Sequence, residues 1–112
     1  MELKIRPGVE DGREQLVLEG SIDLVTRQSL LDAGSAVIDR GDALVLDMAG
    51  VEFIDSTGIG ALVELARAAE ARGGGVTISR SSARVARVLE FSGLDRALGS
   101  LSATPGSTSE GD

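Results

Sequence analysis

The residues best equipped for chemistry are Asp55-Ser56-Thr57-Gly58-Ile59-Gly60, where a carboxylate and two hydroxyls precede two glycines. They stand directly ahead of Ile59, Leu62, Val63, Ala66 and Ala69, whose spacing forms one stripe of a helix. A helix start leaves about four backbone N–H groups without partners and gathers about half a positive charge. Three uses of such a start are open here. Asp55 or Ser56 can cap the helix, with small residues after it for close packing. The amides can cradle a phosphate, with Gly58 and Gly60 clearing the approach. However, no Gly-x-x-x-x-Gly-Lys run exists, Val63 occupies the third small position of a dinucleotide fingerprint, and Lys4 is the only lysine. Thirdly, Ser56 can itself receive a phosphate, adding about -1.5 to -2 charge beside Asp55.

Two other groups invite chemical readings. Asp47, at the end of an apolar run, compares with a phospho-accepting aspartate on a metal site. That site needs neighbouring acids, which Asp23 and Asp55 could supply, and a late lysine, which the chain lacks. The competing reading of Asp47 is a carboxylate bonding turn amides. Arg80, Arg84 and Arg87 make the one local basic cluster, read either as a contact for an acidic partner or as a solvated helix face.

Composition narrows the field. The 112 residues contain no Cys and no His, which excludes disulfides, His/Cys zinc sites and every catalytic arrangement built on histidine or a thiol. An enzyme is therefore not expected, nor is a metal or cofactor. Eighteen acids against eleven bases give a net charge of -7, which opposes attraction to nucleic acid or anionic lipid. Phe53 and Phe91 are the only aromatic residues, too few for base stacking or a broad aromatic interface. The N-terminus lacks a signal pattern and no apolar run approaches the ~20 residues of a membrane span. The chain reads as soluble and cytoplasmic.

These residues need elements to position them. Leu3 to Arg6 and Gln15 to Glu19 read as an antiparallel pair, with turn signals at Pro7-Gly8 and Asp11-Gly12. A helix is expected from Asp23 to Asp39, capped by Asp23 or Thr26 and ended at Gly41, with Gly34 allowing a close neighbour. Ala43 to Met48 reads as a mid-sheet strand, followed by a loop through Ala49 to Asp55. The Ser56 helix stops at Gly73-Gly74-Gly75, and Val76 to Ser79 is a further strand. Ser81 or Ser82 caps a helix closed by Gly93, and Leu94 to Leu98 adds a turn. Two strand-helix-strand crossovers make the later strands parallel, giving an α/β fold of four to five strands and three to four helices. The domain is expected over 1–101, with a disordered polar tail over 102–112. Subtracting Glu110 and Asp112 leaves the folded part at -5.

Gly20-x-Ile22-Asp23, then Val45-Leu46-Asp47, then Val51-x-Phe53-Ile54-Asp55-Ser56-Thr57-Gly58-Ile59-Gly60-x-Leu62, Gly74-Gly75, and Val88-Leu89 with Ser92-Gly93-Leu94 resemble the STAS-domain anti-sigma-factor antagonists over about residues 3 to 100. The resemblance implies a STAS-like mixed sheet. It also implies an antagonist that, unphosphorylated, binds an ATPase-fold serine-kinase anti-sigma factor and so releases a sigma factor. Phosphorylation of Ser56 by that kinase ends the complex, and a phosphatase resets it. Ser56 becomes the phospho-acceptor, Asp55 its acidic neighbour, Thr57 a second hydroxyl and Asp23 a residue near Ser56. Asp23, Asp55, Ser56, Thr57, Gly58 and Gly60 form the expected partner surface. Ser21 stands where the family usually carries Glu, lowering the negative charge there. The alternatives are a STAS-type scaffold or transporter-associated subunit, or a small-molecule or nucleotide-binding module.

Overall fold

A computed structural model describes residues 2–92, in the order β1 (Leu3–Glu10), β2 (Arg13–Ile22), α1 (Arg27–Asp39), β3 (Leu44–Ile54), α2 (Ser56–Ala71), β4 (Val76–Ser81) and α3 (Ala83–Ser92). The expected turn at Leu94 to Leu98, the Gly93 stop and the polar tail lie outside the described residues. The four strands form one sheet in the order β1-β2-β3-β4; β1 and β2 are antiparallel, and β2, β3 and β4 are parallel. The mixed α/β architecture expected from the sequence is the one observed, with four strands and three helices among the described residues.

The first hairpin is longer than the sequence suggests. Pro7 and Gly8 lie inside β1, opposite Leu16 and Gln15, and do not form a turn. An edge strand tolerates a proline because its N–H is not needed by an outer neighbour. The reversal is made by Asp11 and Gly12, both at positive φ (54° and 78°), between the paired Glu10 and Arg13. This two-residue geometry matches the twist of a hairpin.

A second correction concerns Ala49 to Asp55. Instead of a loop, β3 runs on to Ile54, paired with Gly20, Ser21 and Ile22 of β2. Register shifts along the β2–β3 and β3–β4 pairs break the alternation of polar and apolar residues that would have disclosed a strand. The extension lets Val51 and Ile54 join the core. The Ala43 to Met48 segment does lie mid-sheet, with Leu44, Leu46 and Met48 buried.

α1 and α2 lie side by side against the sheet. Leu30, Leu31, Gly34 and Ile38 of α1, and Ala61, Leu62, Leu65 and Ala69 of α2, meet Leu18, Ile22, Leu46 and Ile78 in one continuous core. Gly34 has the packing role its position suggests: a Cβ there would stand 2.8 Å from Leu65 Cδ2. Gly41, at φ 84°, follows α1, and Gly73, also at 84°, follows α2, whose last carbonyls accept from Gly73 and Gly74. Ser82 caps α3: its hydroxyl accepts from the Val85 amide at 3.2 Å and donates to the Val51 carbonyl at 2.8 Å.

Candidate functional site

Both crossovers begin at the same end of the sheet, and this brings the predicted site residues together. Ile22 and Ile54, the last residues of the parallel strands β2 and β3, are register partners, and the Ile22 carbonyl accepts from the Asp55 amide at 3.3 Å. The loop after β2, which contains Asp23, therefore stands beside the start of α2. Gly58 fixes the approach, since a Cβ there would lie 2.6 Å from the Ile22 carbonyl oxygen and 2.8 Å from Ile54 Cγ1.

The cap is Asp55. Its Oδ1 accepts from the Thr57 amide and the Gly58 amide, each at 3.0 Å, and from the Thr57 hydroxyl at 2.6 Å. The Thr57 hydroxyl and then the Gly58 amide hold the Asp55 carboxyl below its ordinary range, against a smaller opposing effect of desolvation. The Ile59 amide returns to the Asp55 carbonyl, so the helix start is largely satisfied from within. This arrangement disposes of the phosphate-cradle reading: the amides that would hold an anion already hold the chain's own carboxylate.

Ser56 is the first helical residue. It is exposed, and its hydroxyl has no hydrogen-bond partner among the described residues. Thr57 is half-buried, with its hydroxyl proton committed to Asp55. Two adjacent hydroxyls thus differ in chemical availability. Gly60 is exposed on the same turn, and a Cβ there would meet nothing within 4 Å.

Asp23 repeats the Asp55 device one loop earlier, and α1 starts at Arg27, after it. Asp23 Oδ1 accepts from the Val25 amide at 3.0 Å and the Thr26 amide at 3.1 Å. Thr26 Oγ1 accepts from the Asp23 amide at 3.0 Å and donates to the Ser21 carbonyl at 2.8 Å. The Thr26 side chain, read from sequence as one of two candidate caps, makes no cap bond to α1. Ser21 is buried and its amide donates to the Glu2 carbonyl. Sequence reasoning missed Leu24 and Val25 on this turn, which are exposed; their one signal was falling outside the helical stripe that begins at Leu30.

The remaining candidates are structural. Asp47 is 5% exposed; its Oδ1 accepts from the Ala49 amide at 3.0 Å and its Oδ2 is 3.0 Å from Arg80. That bears out its amide-bonding reading, within a strand irregularity and not in a loop. Arg80 belongs to β4, not to a helix face, and lies between Asp47 and Glu10; Arg84 and Arg87 are exposed on α3. A cleft of about 490 Å³ lined by Pro7, Val9, Leu16, Val37 and Arg40 lies at the other end of the strands, away from Ser56.

A family profile described as "Mlab, STAS domain" matches residues 6–101. An anti-sigma factor antagonist from Mycobacterium paratuberculosis is 30% identical in sequence, with a TM-score of 0.72 over 92% of this chain and 87% of that one. The chain belongs to the STAS-domain anti-sigma-factor antagonist family. The Bacillus cell fate determinant SpoIIAA in its phosphorylated form shares the fold, at 21% identity and a TM-score of 0.62 over 92% of this chain and 93% of that one. The STAS domain of a SulP transporter from Vibrio cholerae is 27% identical, with a TM-score of 0.57 over 74% of this chain and 65% of that one. No curated protein matches the sequence. Members of this family are generally binding proteins without enzymatic activity. Among the described residues no helix is long and apolar enough to cross a membrane.

Proposed function

We propose that this STAS domain is an anti-sigma factor antagonist of the partner-switching kind, working in the cytoplasm. Unphosphorylated, it binds an ATPase-fold serine kinase that sequesters a sigma factor, and the sigma factor is released. The kinase then transfers the γ-phosphoryl group of ATP to Ser56: the Ser56 Oγ–P bond forms, the bond to ADP breaks, and the serine proton passes to a base on the kinase. A phosphatase restores the hydroxyl. The observation that carries this reading is the exposed hydroxyl of Ser56 on the first turn of α2, without a hydrogen-bond partner among the described residues, beside a neighbour whose own hydroxyl is bonded.

The off-switch follows from charge. A phosphate on Ser56 adds about -1.5 to -2 units next to Asp55, and the Thr57 and Gly58 amides of α2 already serve that carboxylate. Docking would bury the dianion beside the Asp55 carboxylate. Desolvation and like-charge repulsion of a few kcal/mol are expected, and each 1.4 kcal/mol is about tenfold in affinity. The phosphorylated form of SpoIIAA, which shares the fold, supports the reading. The likeness to a transporter's STAS domain supports a second one, in which the same scaffold serves a transport protein.

The test pairs the chain with the ATPase-fold serine kinase of its own cell and labelled ATP. Label is expected on Ser56, absent from Ser56→Ala, which still binds, and Ser56→Asp is expected to bind at least about tenfold more weakly. Equal affinity of wild type and Ser56→Asp, or label on Thr57 instead, overturns the proposal.

A further inference from the structure

Of the described residues, the large apolar side chains that face solvent are Val9, Leu24, Val25 and Phe53. Val9 belongs to the hairpin at the far end of the sheet. The other three gather where β2 and β3 end, with Ser21 and Phe53 register partners. Leu24 is 70% exposed and Val25 is 78% exposed, side by side on the turn between β2 and α1. Folding gains nothing from them there, and a turn is ordinarily filled by polar residues.

The turn that carries them is firmly built. Asp23 Oδ1 holds the Val25 and Thr26 amides, and Thr26, 7% exposed, ties the turn to the Ser21 carbonyl. A surface feature ordered in advance loses less entropy when it docks. Among the described residues Asp23 carries the turn, Asp55 stands beside it through the Ile22 carbonyl and Glu52 is exposed on the adjoining end of β3, while the one base on the turn's α1 side, Arg27, pairs with Glu64 at 3.3 Å. The surface is thus an apolar pair within an acidic surround, continuous with the start of α2.

We infer that Leu24 and Val25 are the apolar anchor with which the unphosphorylated chain docks into an apolar recess rimmed by basic groups on its kinase partner. In this arrangement Asp23 is a positioning residue that holds the pair in place through the turn amides. The inference rests on the function proposed above and adds the part of the surface that Ser56 does not supply. Anchors of this kind act by filling a pocket that excludes water, so polar substitution is felt in affinity while the free chain is unaffected.

The experiment measures binding to, and phosphorylation by, the kinase that labels Ser56. Leu24→Ser/Val25→Ser is expected to weaken binding by about tenfold or more and to raise KM for the chain with kcat unchanged, at an unaltered melting temperature. The single Val25→Ser variant carries the same test should the double variant melt early. Asp23→Asn keeps an oxygen acceptor for the turn amides and is expected to bind within about threefold of wild type, whereas Asp23→Ala loses about tenfold. Binding of the double variant within about twofold of wild type, or equal losses for Asn and Ala at 23, overturns the inference. A wild-type dimer in sedimentation that Leu24→Ser/Val25→Ser disperses also overturns it, because a second copy then covers the patch. Labelling of wild-type Ser56 separates these failures from failure of the function itself: without label and binding, both fall.

Discussion

At Ser56 and Thr57 the difference between two adjacent hydroxyls is one hydrogen bond of 2.6 Å. The bond depends on Asp55, so that residue has two effects: it completes the helix start, and it leaves Ser56 the more available hydroxyl of the two. Replacing Asp55 by Ala removes the cap and is expected to destabilise the chain by about 1 kcal/mol, a fall of about 4–8 °C in melting temperature for a domain of this size. Asp55→Asn keeps an oxygen for the amides and should lose less. The pH dependence separates charge from geometry. Because the folded carboxyl lies below its ordinary value of 3.8, its ionised form contributes stability that is present above that pH and is lost as pH falls through the folded value. Urea midpoints should therefore show wild type's advantage over Asp55→Asn at pH 7 shrinking in acid; a constant advantage would show that the charge is not involved. The Asp-Ser-Thr-Gly pattern announced a capped helix start from sequence. Which of Asp55 and Ser56 was the cap depended on backbone geometry that residue types do not specify.

At the scale of elements, α2 is the part that serves both core and surface, and its two early glycines divide that work. Gly58 faces inward against the Ile22 carbonyl, where added carbon has no room, and Gly60 faces open space. Their alanine variants are expected to move in opposite directions. Gly58→Ala should destabilise the chain by about 1–3 kcal/mol through overpacking against backbone. Gly60→Ala should stabilise it by about 1 kcal/mol, since alanine favours the helix and nothing obstructs its methyl. Chemical unfolding of the two variants checks this, and a destabilised Gly60→Ala would mean that its surroundings are not open. In the proposed partner binding Gly60→Ala is expected to weaken affinity instead, its methyl standing on the proposed docking surface. Sequence periodicity found the stripe of α2 and its glycine stop, but it treated Gly58 and Gly60 alike because helical spacing does not say which neighbour each one meets.

The whole molecule has two distinct ends. Where the parallel strands finish, two Asp-built turns present Ser56, Leu24 and Val25; where they start, the cleft around Pro7 and Val37 opens. The net charge of -7 acts over the full surface. With a basic partner face, association is expected to slow by about tenfold or more between ~20 mM and ~500 mM salt, while dissociation changes much less. Stopped-flow mixing with the kinase reads both rates, and a salt-independent association rate would exclude steering by charge. The sequence by itself determined the α/β order of elements, the mid-sheet position of Ala43 to Met48, the stops at Gly41 and Gly73, and the Asp55-Ser56 segment as a capped helix start, because these rest on local periodicity, turn chemistry and capping. Only the tertiary structure decided that Pro7 stays in a strand, that β3 continues through Val51 to Ile54, and that Arg80 neutralises buried Asp47. It also decided that the Asp23 turn stands beside Ser56 with an apolar pair exposed on it. Those features come from pairing and packing between segments far apart in the chain, and no local pattern records which strand a residue will meet.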